Sequence, residues 1–128
     1  MALTPGMAAR VTRRVEESDT AIAFRSGDVP VIATPRVVAL AEEATVIAIA
    51  GALAPGQTTV GSAVQLTHLA PSPIGAKVTA DVVLESVEGR RLVFRVSVTD
   101  GRGLVAAGYV TRVVVERERF LERARDGA

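Results

Sequence analysis

The sequence has no cysteine and a single histidine, and its aromatics amount to one tyrosine and three phenylalanines. Without cysteine there are no disulfides, thiolate nucleophiles or cysteine metal sites, and a cytoplasmic location is expected. One histidine excludes a multi-histidine zinc site within one chain, so no metal is expected. Long apolar runs are missing as well. The longest, Ala44 to Ala54, falls far short of the roughly 20 residues a membrane-spanning helix requires. Met1 to Arg10 lacks the apolar core of a secretion signal. The net charge of +1 is too balanced to point to a nucleic acid. Neither a nucleic acid nor a membrane is therefore an expected partner.

What remains is an aliphatic chain of 128 residues, 48% of them hydrophobic. That length fits one domain, 1–128, with a charged tail over 116–128. A first strand is expected over Arg10 to Glu17, where Val11 and Val15 stand among charges. Ser18 to Val31 mixes turn residues with short apolar pieces and reads as a loop or short strand covering something. Thr34-Pro35 reads as a helix start, with Thr as N-cap and Pro at the first helical position. The run from Arg36 to Leu53 leaves almost no polar face, which predicts a buried helix, and Pro55-Gly56 stops it.

Beyond the helix the period changes to two. Thr58 to Leu69 predicts a strand with Val60, Val64, Leu66 and His68 in one phase. A loop over 71–75 follows. Lys77 to Val87 alternates, with Val78, Ala80, Val82 and Leu84 on one face. Arg91 to Thr99 alternates through Leu92, Phe94, Val96 and Val98, and Leu104 to Val115 makes the last strand. Glu88-Gly89 and Asp100-Gly101 are hairpin turns. A short helix is expected in the tail, with Phe120 and Leu121 as its apolar anchors. The simplest packing lays the antiparallel sheet over the helix and buries both. This is an α+β class chain with the hotdog arrangement, a sheet wrapped around a central helix.

Few side chains in this pattern carry chemistry. Glu42 and Glu43 sit in the apolar helix, where adjacent residues differ in direction by roughly 100°. One faces the inner cleft, the other solvent or an interface. A desolvated carboxylate has a raised pKa unless it is paired, which suits a general base or nucleophile. Thr34 stands where helix amides and the dipole favour negative charge. Eight residues separate it from Glu42, roughly 12 Å along a helix axis, so both reach one small substrate only if the first residues bend back as a loop. His68, in its strand phase, faces the apolar side and can share proton work with a glutamate. Arg112 lies in phase with Val110 and Val114, which buries it and calls for an anion. Gly61 interrupts a strand and permits a close approach. No G-x-S-x-G elbow, phosphate-binding loop or H-E-x-x-H helix is present.

Several stretches carry a family resemblance. Ser86-Val-Glu-Gly-Arg-Arg-Leu92, Arg95-Val-Ser97 with the Asp100-Gly101 turn, and Thr67-His68 with the proline-rich stretch to Gly75 resemble the fluoroacetyl-coenzyme A thioesterase-like hotdog family, over about Val31 to Phe120. The resemblance implies an acyl-CoA thioesterase with Thr34, Glu42 and His68 as its active site. Gly61 and Arg112 match the family's substrate-side glycine and late arginine. It implies a homodimer with sites at or near the subunit interface, and an acyl-CoA substrate whose coenzyme A is the only cofactor moiety. In that family the glutamate attacks or activates water, the threonine binds the thioester and the histidine assists proton transfer. One departure is plain. The fluoroacetyl enzyme has phenylalanines in a lid just before its threonine, whereas Gly27-Asp-Val-Pro-Val-Ile32 has none. Fluoroacetyl selectivity is therefore not expected to carry over. A hotdog hydratase or dehydratase, and a non-catalytic acyl-CoA binder, are the alternative readings.

Overall fold

The computed structural model describes residues 2–126. Strand β1 is Ala8–Arg14, followed by a 3-10 turn over Glu17–Asp19 and a one-turn helix, α1, over Ala21–Phe24. The long helix α2 is Thr34–Ile49. Strands β2 (Gln57–His68), β3 (Lys77–Glu88), β4 (Arg91–Asp100) and β5 (Gly103–Glu116) follow, and α3 (Arg117–Asp126) closes the described chain. The strands form one antiparallel sheet in the order β1-β3-β4-β5-β2.

The core lies between this sheet and α2. The predicted inward faces of β3 and β4 are buried throughout. They pack with Val37, Leu40, Ala41, Ala44 and Ile49 of α2 in one cluster. Each fully buried Val, Leu or Phe contributes about 1.5–3 kcal/mol relative to exposure, so the sheet-on-helix packing dominates the fold. This is the hotdog arrangement that the alternation of the later strands predicts.

Four local expectations need correction. The first strand begins and ends earlier than Arg10 to Glu17, because Val15 leaves the β1–β3 ladder and its amide bonds Ala76. The covering segment contains the α1 turn, capped by the Thr20 hydroxyl at 3.2 Å from the Ala23 amide. In β2 the register shifts between Gly61 and Ala63. That β-bulge puts Thr59 and Gly61, not Val60, opposite the inward residues Val114 and Arg112, in phase with Val64, Leu66 and His68. Finally, α2 is not buried all round in the single chain: Val46 and Ile47 remain about half exposed, at 48% and 52%.

Candidate active site

The N-terminus of α2 differs from its sequence signature. Ala33 is the N-cap, in extended conformation, and makes no side-chain cap bond. Thr34 is the first helical residue, so its hydroxyl is free for other work. It meets the His68 ring, with Oγ1 2.8 Å from Nδ1. His68 ends β2 opposite Ala106, and the next amide, Leu69, bonds the Val105 carbonyl at 2.7 Å. The other imidazole nitrogen, Nε2, is buried without a hydrogen-bond partner among the described residues. Most buried polar atoms in proteins have a hydrogen-bond partner, so Nε2 is a free proton-transfer position of the ring.

The same helix end offers a backbone donor. Pro35 has no N–H, and the Arg36 and Val37 amides both bond the Ala33 carbonyl. Among the described residues this leaves the Thr34 amide without a backbone partner, beside its own hydroxyl and at the positive end of the α2 dipole. Thr34 and His68 both line an open concavity that is bordered by Ser26, Gly27, Val29 and Val31 of the segment between α1 and α2.

What holds this helix end was not legible in the sequence. The Asp19 carboxylate is 2% exposed. It accepts from Arg13 Nε and Arg36 Nε, both at 2.9 Å, and from the Glu16 amide at 2.8 Å. Its carbonyl accepts from the Ala33 amide at 2.9 Å. One residue thus ties β1, the covering segment and the first turn of α2 together, on both sides of Thr34. Burial pushes the Asp19 carboxyl up, but the Arg13 hydrogen bond, the Glu16 amide and Arg36 outweigh it and hold it below the ordinary carboxylate range.

Asp19→Ala is expected to destabilise the protein by about 2–3 kcal/mol at neutral pH. That is less than the roughly 3–5 kcal/mol of a fully buried pair, because Arg13 keeps 36% of its side chain exposed. A carboxylate depressed in the folded state stabilises fully above its unfolded value, about 3.9, and loses that contribution as pH falls through the folded value. Denaturant midpoints of the two proteins should therefore differ at pH 7 and converge below about pH 4.

A second cluster lies further along α2. Glu42 Oε2 is 3.5 Å from Arg112 Nη1, and the two side chains are 36% and 8% exposed. Arg112 also donates through Nε to Thr59 Oγ1 at 2.9 Å and through Nη2 to the Thr59 carbonyl at 3.1 Å. Burial lowers the Arg112 pKa and Glu42 raises it in return, but a guanidinium stays cationic at neutral pH. Gly61 faces this pair: a Cβ there would collide with Glu42 Oε2. Glu42 is therefore the inward glutamate, paired as its position demands. Glu43 is exposed, and its charge is felt instead by Arg13.

The sequence-predicted residues thus form two groups, Thr34 with His68 and Glu42 with Arg112 and Gly61. The loop that would bend Thr34 back toward Glu42 does not form, since Thr34 is already helical. Among the described residues no group of three or more histidine and carboxylate side chains is placed to hold a metal ion. No helix there is long and apolar enough to cross a membrane.

Comparison with known proteins points one way. Residues 15–118 match the model of the fluoroacetyl-CoA-specific thioesterase family. A fluoroacetyl-CoA thioesterase of Streptantibioticus cattleyicolor is 43% identical over 95 residues, 74% of this chain and 68% of that protein. A solved structure of the fluoroacetyl-CoA thioesterase superposes with a TM-score of 0.94 at 33% identity, covering 100% of this chain and 99% of that one. A hot-dog-like protein from Thermanaerovibrio acidaminovorans superposes with a TM-score of 0.88 at 29% identity, covering 95% and 90% of the two chains.

Proposed function

The chain belongs to the fluoroacetyl-CoA-specific thioesterase family and is a thioester hydrolase; we propose that it cleaves an acyl-CoA by means of Thr34, His68 and Glu42, with Gly61 and Arg112 on the substrate side. The observation that carries this reading is the Thr34–His68 hydrogen bond at the α2 N-terminus, on the wall of an open concavity. The thioester carbonyl oxygen lies at the Thr34 hydroxyl and amide, where the helix dipole stabilises the charge that develops on it. Glu42 supplies the attack. As a base it takes a proton from water, whose oxygen bonds the carbonyl carbon. As a nucleophile it forms a mixed anhydride that water then opens. In either case the C–S bond breaks, the thiolate of coenzyme A takes a proton by way of His68, and the acid leaves.

A homodimer resolves one geometric problem of this reading. Thr34 and Glu42 stand about 12 Å apart along a straight helix. A homodimer brings the carboxylate of one subunit to the Thr34–His68 pair of the other. Three features support it: β2 is an edge strand, Val46 and Ile47 of α2 are half exposed, and Val64 of β2 is 42% exposed. Paired β2 edges would satisfy an open ladder, and an isologous contact would set two copies of α2 antiparallel.

The test is release of free thiol from acyl-CoA thioesters. Absence of release from every acyl-CoA tried overturns the proposal. Thr34→Val, which keeps the shape and removes the hydroxyl, should lower kcat by about a hundred- to a thousandfold. Its Tm should stay near that of the parent, because the hydroxyl does not cap α2 and its one bond, to His68, is exposed.

A further inference from the structure

Resting on the thioesterase reading, we infer that Asp19 is a positioning residue for hydrolysis: by bonding both flanks of Thr34 it sets the start of α2 at Ala33 and turns the Thr34 hydroxyl to His68 instead of to the helix's own amides. The local sequence favours the other register. A residue before proline is biased toward extended backbone, and threonine is a good N-cap. With Thr34 as N-cap, its hydroxyl would turn back over the first helical turn to accept from a helix amide, and His68 Nδ1 would lose its partner. In the structure Ala33 holds the N-cap position instead, and its carbonyl takes the Arg36 and Val37 amides, both at 3.0 Å.

Asp19 fixes that choice from two sides. Its carbonyl accepts from the Ala33 amide at 2.9 Å, one residue before Thr34. Its carboxylate accepts from Arg36 Nε at 2.9 Å, two residues after Thr34. Pro35 stands between, with its φ locked by the ring, so few soft torsions separate the two held points. Asp19 is itself anchored outside α2. Arg13 Nε of β1 reaches both carboxylate oxygens, at 2.9 and 3.0 Å, and the Glu16 amide donates at 2.8 Å. The helix start therefore cannot shift and carry Asp19 with it.

The tie extends to the histidine. Thr20, next to Asp19, bridges Ile32, and the Ile32 amide bonds the Ser72 carbonyl at 2.9 Å. Ser72 lies four residues beyond His68. One backbone ladder thus joins the segment that sets Thr34 to the loop that leaves His68, and every contact in it lies within one chain. The precision matters, because a reacting group misplaced by about 1 Å costs about a hundredfold in rate.

The experiment uses two variants. Asp19→Asn keeps the shape of the side chain but sets an amide nitrogen, donor against donor, where Asp19 Oδ2 accepts from the Glu16 amide or Oδ1 from the two arginines. Arg36→Gln leaves Asp19 bonded to Arg13 and the Glu16 amide, which protects the fold. At a temperature where melting curves show both variants folded, each should lower kcat about tenfold or more. In a Thr34→Val background neither should lower it further, since valine has no hydroxyl to turn and groups acting as a unit are not additive. A kcat within about twofold of the parent in both variants, or losses that multiply with that of Thr34→Val, would overturn the inference and leave the thioesterase reading standing. His68 is the only histidine, so its ring signals in a nitrogen-15 spectrum are unambiguous. Both variants should move them toward their position in Thr34→Val, which a merely stabilising cluster would not do in a folded protein. Unmoved ring signals overturn the inference. This readout needs no substrate: if no thioester is cleaved, the thioesterase reading falls, and the ring signals alone decide whether Asp19 sets the Thr34–His68 pair.

Discussion

Glu42→Gln is expected to lower turnover by about a hundred- to ten-thousandfold, the range for loss of a positioned acid–base group, while the protein stays folded. The substitution keeps the volume and removes the charge. Arg112 retains both of its bonds to Thr59. The lost ion pair is long, at 3.5 Å, and its carboxylate is 36% exposed. Its contribution to stability therefore lies in the range of exposed pairs, about 0–1 kcal/mol. Thiol release and thermal melting separate the two effects, and full activity in Glu42→Gln would remove Glu42 from the mechanism.

The same variant tests the shared site. Glu42→Gln and His68→Ala are each expected to be inactive alone. If each site takes Glu42 from one subunit and His68 from the other, mixing them restores one complete site in every mixed dimer. Random exchange then returns roughly a quarter of parental activity, because half the dimers are mixed and each has one working site. No recovery after exchange, with mixed dimers verified, would place all three residues within one chain. Single-turnover hydrolysis in oxygen-18 water with excess enzyme addresses the attack itself: label in Glu42 requires the mixed anhydride, and label in the released acid alone requires direct attack by water.

The sheet was legible because β3 and β4 alternate cleanly and lie between turn residues that break them. Arg112 was placed correctly for the same reason, since a period of two fixes a face. Phase fails where the backbone departs from the period. The Gly61–Ala63 bulge changes the face of Val60 and cannot be read from a glycine and a serine in a strand. Thr34-Pro35 fits two helix starts that differ by one residue, and the choice was made by a long-range contact to His68 and by the backbone of Ala33. The buried Asp19 carries no signal in the sequence, because its two arginine partners come from β1 and α2 and share no local spacing with it. The helix pattern alone does not separate Glu42 from Glu43; the family resemblance points to Glu42, and Gly61 of β2 faces Glu42 in the structure. The apolar helix was read as buried all round, yet composition does not distinguish a face buried in its own core from one that meets a second copy.

Gly61→Ala should lower kcat by about a hundredfold with little change in Tm, as expected when a reacting group is displaced by about 1 Å. Gly61 is in an edge strand and is not among the glycines with positive φ, so alanine fits its backbone. The added methyl would collide with Glu42 Oε2, whereas it would lie 3.7 Å from Arg112 Nη1, an ordinary contact. The carboxylate is the far end of a flexible side chain and yields before the strand does. The methyl therefore moves the attacking group and leaves the Arg112–Thr59 anchor in place. A merely structural glycine predicts the reverse, a lower Tm with kcat intact. Combining Gly61→Ala with Glu42→Gln distinguishes the two further. If the methyl acts through the carboxylate, the double variant is no slower than Glu42→Gln alone, since groups acting as a unit are not additive. If the two losses multiply, Gly61 contributes to the reaction by a route other than Glu42.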